Sequence, residues 1–217
     1  MNTPKLQLAL DHLNLELALT TLKQVEPYVD LVEAGTPLVK AEGLKTILPA
    51  LAECTRKPLV ADLKTADVAA YEFEFAKQCG ASYMTMLGSS PQENIQEGVE
   101  FAQNYGVNVV VDMLGVDNYV EKAIELVKQG VEYLGLHCGI SEQMAGKTIF
   151  QKTQEVSQAI SGLGGQIVVA GGINADNMTK LKGIENIAIV IVGGSITKSP
   201  QPANSAKQLQ ATIREVF

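Results

Sequence analysis

The sequence is poor in the residues that usually announce metal or redox chemistry. Its 217 residues include two histidines and three cysteines. Cys54, Cys79 and Cys138 form no CxxC pair, and an odd, scattered set reads as reduced thiols. With only His12 and His137, and no cysteine at ligand spacing from either, a zinc site is disfavoured. Basic residues are outnumbered, 17 against 24 acidic, for a net charge of −7. That argues against nucleic acid, whose binding needs a basic face. No apolar run approaches the roughly 18 residues of a membrane span. The opening MNTPKLQLALDHLN turns polar at Asp11 and His12, too early for a secretory apolar region, so a cytoplasmic location is expected. No GxGxxG follows the first apolar run, where the chain reads Asp11-His12-Leu13-Asn14. A doubly wound open sheet is therefore the weaker architecture.

What is present is globular: 46% hydrophobic, 19% charged, with no linker and no shift of composition, hence one domain over 1–217. Eight short apolar runs recur, at 6–10, 29–32, 59–61, 83–87, 107–111, 131–136, 166–170 and 187–192. Continuous rather than alternating runs suit parallel strands covered on both faces. Between them, apolar residues at three- and four-residue spacing predict helices at 16–25, 43–53, 69–78, 92–104, 118–129, 149–160, 175–181 and 203–216. Gly80, Gly106 and Gly130 stop three of these, and Asn94, Asp117 and Asn174 stand where caps would. Eight such units predict a single (β/α)8 TIM barrel of ordinary size.

In such a barrel the chemistry lies at the carboxyl ends of the strands. There the sequence places Asp11, Glu33, Asp62 with Lys64, Asp112 and His137. Asp62 and Lys64, two apart, should leave one strand face together. Four carboxylates around one lysine repel in a low-dielectric mouth, so either their pKa values rise or a cation joins them. All-oxygen donors favour a hard ion, and Glu33 and Asp62 are the expected ligands of Mg²⁺, with Mn²⁺ as a substitute. His137, directly after an apolar run, is the candidate base; a satisfied core histidine is the plain alternative. His12 points the other way and is expected on the surface. The pairs Gly171-Gly172 and Gly193-Gly194 end the last two runs, where barrels often bind phosphate through backbone N–H groups. A phosphorylated, anionic substrate is what these features suggest.

Several ordered fragments carry a resemblance across nearly the whole chain. They are Leu8-Ala9-Leu10-Asp11, Val32-Glu33-Ala34-Gly35-Thr36-Pro37-Leu38 and Asp62-Leu63-Lys64-Thr65-Ala66-Asp67, followed by Val111-Asp112-Met113-Leu114-Gly115, His137-Cys138-Gly139, Val169-Ala170-Gly171-Gly172 and Val192-Gly193-Gly194. The D-x-K-x-x-D at 62–67 resembles the hallmark of the orotidine-phosphate decarboxylase suprafamily, and the set is most similar to its 3-hexulose-6-phosphate synthase branch. The resemblance implies a homodimeric, Mg²⁺-dependent lyase that joins formaldehyde to D-ribulose 5-phosphate through an enediolate. It implies Glu33 and Asp62 on the metal, Lys64 on the enediolate oxygen and His137 moving the proton. Asp67 would enter the partner's site, Asp112 would orient its neighbours, and Asp11 and the glycine pairs would hold substrate. The sister branch, 3-keto-L-gulonate-6-phosphate decarboxylase, usually has Glu at the position of Asp112 and Arg at those of Ile140 and Gly194. Their absence favours the aldol reaction. A Schiff-base role for Lys64, a helix-cap role for Asp67 and a non-catalytic sugar-phosphate-binding barrel stay open at this level. A pentose-phosphate epimerase lacks its two zinc histidines here.

Overall fold

A computed structural model describes residues 3–217. Eight parallel strands close into one barrel in sequence order. They are β1 (Lys5–Leu10), β2 (Leu31–Ala34), β3 (Leu59–Thr65), β4 (Tyr83–Leu87), β5 (Asn108–Asp112), β6 (Tyr133–His137), β7 (Gln166–Ala170) and β8 (Ile187–Val192). Every neighbour pairs in parallel, β8 with β1 included. The (β/α)8 expectation holds. The helices on the outside are α1 (Leu15–Val25), α2 (Thr36–Glu42), α3 (Leu44–Cys54), α4 (Ala69–Gln78), α5 (Gln92–Tyr105), α6 (Tyr119–Lys128), α7 (Ile140–Met144), α8 (Phe150–Ala159), α9 (Gly194–Thr197) and α10 (Pro202–Val216).

The period of two along each strand divides the buried apolar residues into two layers. Outward residues such as Leu8, Val32, Ala61, Met84, Val111 and Leu134 meet the helices. Inward residues Leu31, Val60, Tyr83, Val110, Val168 and Ile189 fill the lower barrel. Tyr83 and Tyr133 meet there edge to face, ring centroids 5.9 Å apart, a favoured aromatic geometry. Two residues further along four of these strands stand Glu33, Asp62, Thr85 and Asp112. The same alternation that packs the floor therefore lifts the polar residues onto it. Gly135 faces inward between Val110 and Asp112; a methyl there would lie 3.1 Å from the Asp112 Cα.

Some expectations need correction. The second strand is 31–34 and not 29–32, so Glu33 lies within it. The third runs on to Thr65 and takes in Asp62 and Lys64. The helix expected at 175–181 is only a 3₁₀ turn, Met178–Leu181; the Asn174 side chain satisfies the amides of Asp176 and Asn177 at 3.0 Å and tightens the turn. α2, α7 and α9 are additional. Pro37 in the first turn of α2 starts that helix where no amide partner is needed. Asn94 lies inside α5, not at its cap. Its Oδ1 instead accepts from the Ala69 amide, at 2.9 Å, and so caps α4 from across the groove. Asp117 is not the cap of α6; Asn118 stands there without a side-chain bond.

Candidate active site

The strand ends bring Glu33, Asp62, Lys64, Asp112 and His137 together at the carboxyl mouth. Asp62 is the centre. Its Oδ1 accepts from Thr85 Oγ1 at 2.8 Å and from Lys64 Nζ at 2.8 Å. Its Oδ2 accepts from Thr36 Oγ1 at 2.6 Å, from the Thr36 amide at 3.2 Å and from Lys64 Nζ at 2.9 Å. A carboxylate offers about four acceptor sites, so Asp62 is fully engaged as long as Lys64 lies against it, and a metal would have to take the place of the ammonium at one of its oxygens. The Thr36 amide belongs to the first turn of α2, whose dipole favours an anion.

Lys64 reaches Asp62 by an unexpected route. Its φ is +48°, and the β3–β4 register shifts between Ala61 and Thr65. A regular strand would place residues 62 and 64 on one face; here a left-handed kink turns the lysine back. A non-glycine residue in that conformation costs about 1–3 kcal/mol. Thr85 Oγ1 holds it by accepting from the Lys64 amide at 2.9 Å. The ammonium then bridges Asp62 and Asp112, the latter at 3.3 Å. Burial alone would lower the Lys64 pKa, but the two carboxylates raise it above the ordinary lysine value. A lysine so held is a charged donor and not a free amine, which disfavours a Schiff base.

Asp112 continues the chain of contacts. Its Oδ2 lies 3.5 Å from His137 Nδ1, and its Oδ1 accepts from the Leu114 amide at 2.9 Å. Burial pushes the carboxyl up, but His137, Lys64 and that amide together hold it below the usual range. A depressed folded pKa gives stability that is present above the unfolded value, about 4, and lost as pH falls through the folded one. Asp112→Asn should therefore flatten the acid limb of a thermal-melt profile below about pH 4, leaving wild type the steeper of the two. Parallel limbs would refute it.

Glu33 is buried. Burial, then Asp62 and Asp11, push its pKa well above the carboxylate range, against the hydrogen bond from Gln7. Asp11 is exposed at the rim, yet the protein packed around its carboxylate and the neighbouring Asp62 raise its pKa. Its carboxylate lies against Gly35, where a methyl would stand 2.1 Å from Oδ1, and near Gly193. This crowding of acids is the charge problem that the sequence anticipates. The donors fit a small hard cation: oxygen only, on neighbouring strands, with Glu33 and Asp11 still held above the ordinary carboxylate pKa despite Lys64. Among the described residues no three His, Cys, Asp or Glu side chains converge so as to hold a metal ion, so an ion here would rest on two carboxylates only. Two carboxylates with water or substrate completing the shell match that description.

The two glycine loops lie side by side. Ser195 Oγ donates to the Ile173 carbonyl at 2.8 Å and ties one to the other. Gly171, with φ +106°, has the Cys138 carbonyl 2.3 Å from where a methyl would be, and Gly172 has φ +68°. Only glycine fits at 171. Gly194 has open space apart from the Lys198 side chain, 3.7 Å away.

Asp67 stands apart. It is exposed, and its Oδ1 accepts from the amide of Val68. No hydrogen bond or ion pair joins it to the cluster among the described residues. It does not cap α4 either, since Asn94 does. His12 is half-buried rather than a surface residue, its Nε2 3.3 Å from Thr21 Oγ1. Cys138 is buried and its thiol pKa raised by burial, in keeping with an inert thiol. Thr36, Thr85 and Gln7 escaped the sequence reading. Threonine and glutamine carry no charge signal, and only the barrel register shows that they face the acids.

A closed (β/α)8 barrel with a lysine–carboxylate–histidine chain at the carboxyl ends of its strands has the build of a barrel enzyme. Residues 4–209 match the model of the orotidine 5'-phosphate decarboxylase / HUMPS family, and the chain belongs to that family. It is 37% identical over 209 residues to a 3-hexulose-6-phosphate synthase of Staphylococcus epidermidis, covering 96% of this chain and 98% of that one. The crystal structure of a 3-hexulose-6-phosphate synthase from Salmonella typhimurium superposes with a TM-score of 0.92 at 31% identity, over 98% of this chain and all of the other. A ligand-bound crystal structure of KGPDC from Streptococcus mutans gives 0.89 at 25% identity over the whole of both chains. No helix among the described residues is long and apolar enough to cross a membrane.

Proposed function

We propose that this chain is a Mg²⁺-dependent 3-hexulose-6-phosphate synthase, condensing formaldehyde with D-ribulose 5-phosphate to D-arabino-hex-3-ulose 6-phosphate. The observation that carries the reading is the unbroken contact chain Asp62–Lys64–Asp112–His137 in a chain whose position 140, three beyond His137, is an exposed isoleucine. No arginine is there to deliver a proton to a decarboxylated carbon. The named Staphylococcus and Salmonella relatives support the same choice.

In this reading the phosphate sits on backbone N–H groups of the Gly171-Gly172 and Gly193-Gly194 loops. Asp11 accepts from a sugar hydroxyl. His137 takes the C1 proton, with Asp112 at its Nδ1 keeping the ring turned. Glu33 and Asp62 would hold Mg²⁺, or Mn²⁺ in its place, and the ion would supply positive charge that stabilises an enediolate. Lys64 donates to the enediolate oxygen where negative charge develops. C1 then attacks the formaldehyde carbon, a carbon–carbon bond forms, and the formaldehyde oxygen takes back the proton held on His137.

The decisive experiment follows formaldehyde loss with D-ribulose 5-phosphate, with and without EDTA, beside CO₂ release from 3-keto-L-gulonate 6-phosphate. Formaldehyde loss that EDTA abolishes and Mg²⁺ restores is the expected result. Fast CO₂ release with slow formaldehyde loss would place the chain on the decarboxylase side, the reading that likeness to KGPDC favours.

The working unit in this proposal is a cytoplasmic homodimer in which each subunit lends Asp67 to the other. Val68 and Tyr71, beside Asp67, are 50% and 79% exposed, which suits a surface covered by a second copy. Asp67→Asn and His137→Asn should each be nearly inactive. Unfolded and refolded together, they should regain about a quarter of wild-type activity, since half the dimers then hold one intact site in two. A mixture as inactive as its parts would sink the shared site.

A further inference from the structure

Gln7 is a glutamine inside the barrel. It lies on β1 and is 3% exposed. Its Nε2 donates to Glu33 Oε2 at 2.6 Å, both groups buried. Only the amide nitrogen of a glutamine can donate to a carboxylate, and an amide cannot lose that ability by titrating. One lone pair of Glu33 Oε2 is therefore held by a donor that pH does not remove. Glu33 Oε1 receives no hydrogen bond among the described residues. It is also absent from the sealed, unpartnered polar atoms, which are His12 Nδ1 and Asn94 Nδ2, so it keeps contact with the water of the mouth. One oxygen of the glutamate is pinned and the other is open.

That asymmetry bears on which cation the acids can take. Ca²⁺ gathers six to eight oxygens and often uses both oxygens of a carboxylate, whereas Mg²⁺ holds to a tight octahedron and takes one oxygen from each of one or two carboxylates. We propose that Gln7 makes Glu33 a one-oxygen ligand and thereby sets the site's preference for a small octahedral divalent cation over Ca²⁺. The inference rests on the reading of Glu33 and Asp62 as metal ligands. Two-oxygen binding by Glu33 would strip Gln7 of its partner and leave a buried amide unsatisfied, which the fold resists. Gln7 touches neither ion nor substrate in this scheme; it is a positioning residue.

Calorimetric titration of the full chain with MgCl₂, MnCl₂ and CaCl₂, without substrate, tests this. Wild type should bind Mg²⁺ and Mn²⁺ more tightly than Ca²⁺. Gln7→Met has similar length and no donor, and should weaken Mg²⁺ about ten- to a hundredfold, as loss of a partner behind a ligand does. Ca²⁺ affinity should hold or rise, so the Mg²⁺/Ca²⁺ affinity ratio falls at least about tenfold. Gln7→Asn is too short to reach Glu33, keeps the layer polar, and should behave alike if the methionine variant does not fold. A ratio unchanged in a folded variant, including a parallel loss of both ions, overturns the proposal while leaving the metal site in place. Wild type binding Ca²⁺ as tightly as Mg²⁺ overturns it without any variant. Wild type binding no divalent cation removes the metal reading itself.

Discussion

Lys64→Met should lower kcat about a hundred- to a thousandfold, the usual effect of deleting one donor aimed at developing negative charge. The ammonium is held by Asp62 and Asp112 within 3.3 Å and is kept protonated by them. It is charged before substrate arrives and needs no proton exchange to act. KM should change much less than kcat, because the proposed phosphate site lies on other loops. Lys64→Arg should not rescue the rate. A planar fork wants two parallel acceptors, while this site offers one saturated carboxylate and one already facing His137. Steady-state kinetics on both variants checks this. A kcat within about tenfold of wild type for the methionine variant would show that Lys64 merely balances charge.

The second large effect concerns Gly171. Gly171→Ala places a methyl 2.3 Å from the Cys138 carbonyl oxygen in a backbone of φ +106°. Strain of this kind costs about 1–3 kcal/mol, and the clash adds to it. Cys138 follows His137 directly, and its amide bonds the Ala170 carbonyl at 3.1 Å. Displacing that segment should move both the proposed phosphate loop and the imidazole. The melting temperature should fall, and KM for the sugar phosphate should rise together with a loss of kcat. Gly194→Ala is the matched control. Its methyl would meet only the flexible Lys198 side chain at 3.7 Å, so its melting temperature should stay within the narrow range of surface changes. If Gly171→Ala melts and binds substrate as wild type does, the loop does not pass where the structure has it.

The two glycine pairs illustrate what the sequence shows and what it hides. Their position after the last two apolar runs marks them, yet nothing in the letters separates Gly171, where a side chain is impossible, from Gly194, where one fits. The strands were legible because buried parallel strands are written as continuous β-branched runs, and β4, β7 and β8 match their expected residues throughout. The acids were legible because a charge at the end of such a run is out of place. α2 and α7, of seven and five residues, are too short for helical periodicity to register. The left-handed kink at Lys64 was hidden for another reason. A period of two and a kink both bring residue 64 back to residue 62, and only three-dimensional contacts tell them apart. Thr85 is silent for a related reason: a threonine in a strand is ordinary, and its work is done across the barrel from β4 to β3.

The floor of Leu31, Val60, Tyr83, Val110, Val168 and Ile189 has a bearing on traffic. A plug of interdigitated side chains closes the lower end of the barrel and leaves the carboxyl mouth as the doorway to the acids above it. On the proposed reaction, a sugar phosphate anchored at the rim by its phosphate, with its reacting end inward, would stand in that doorway. The small aldehyde would then have to slip past the tethered sugar or be waiting inside, and the lengthened product would have to back out before the next sugar could enter. Turnover in such a cul-de-sac would be single file, and excess sugar phosphate would become an obstacle as well as a reactant.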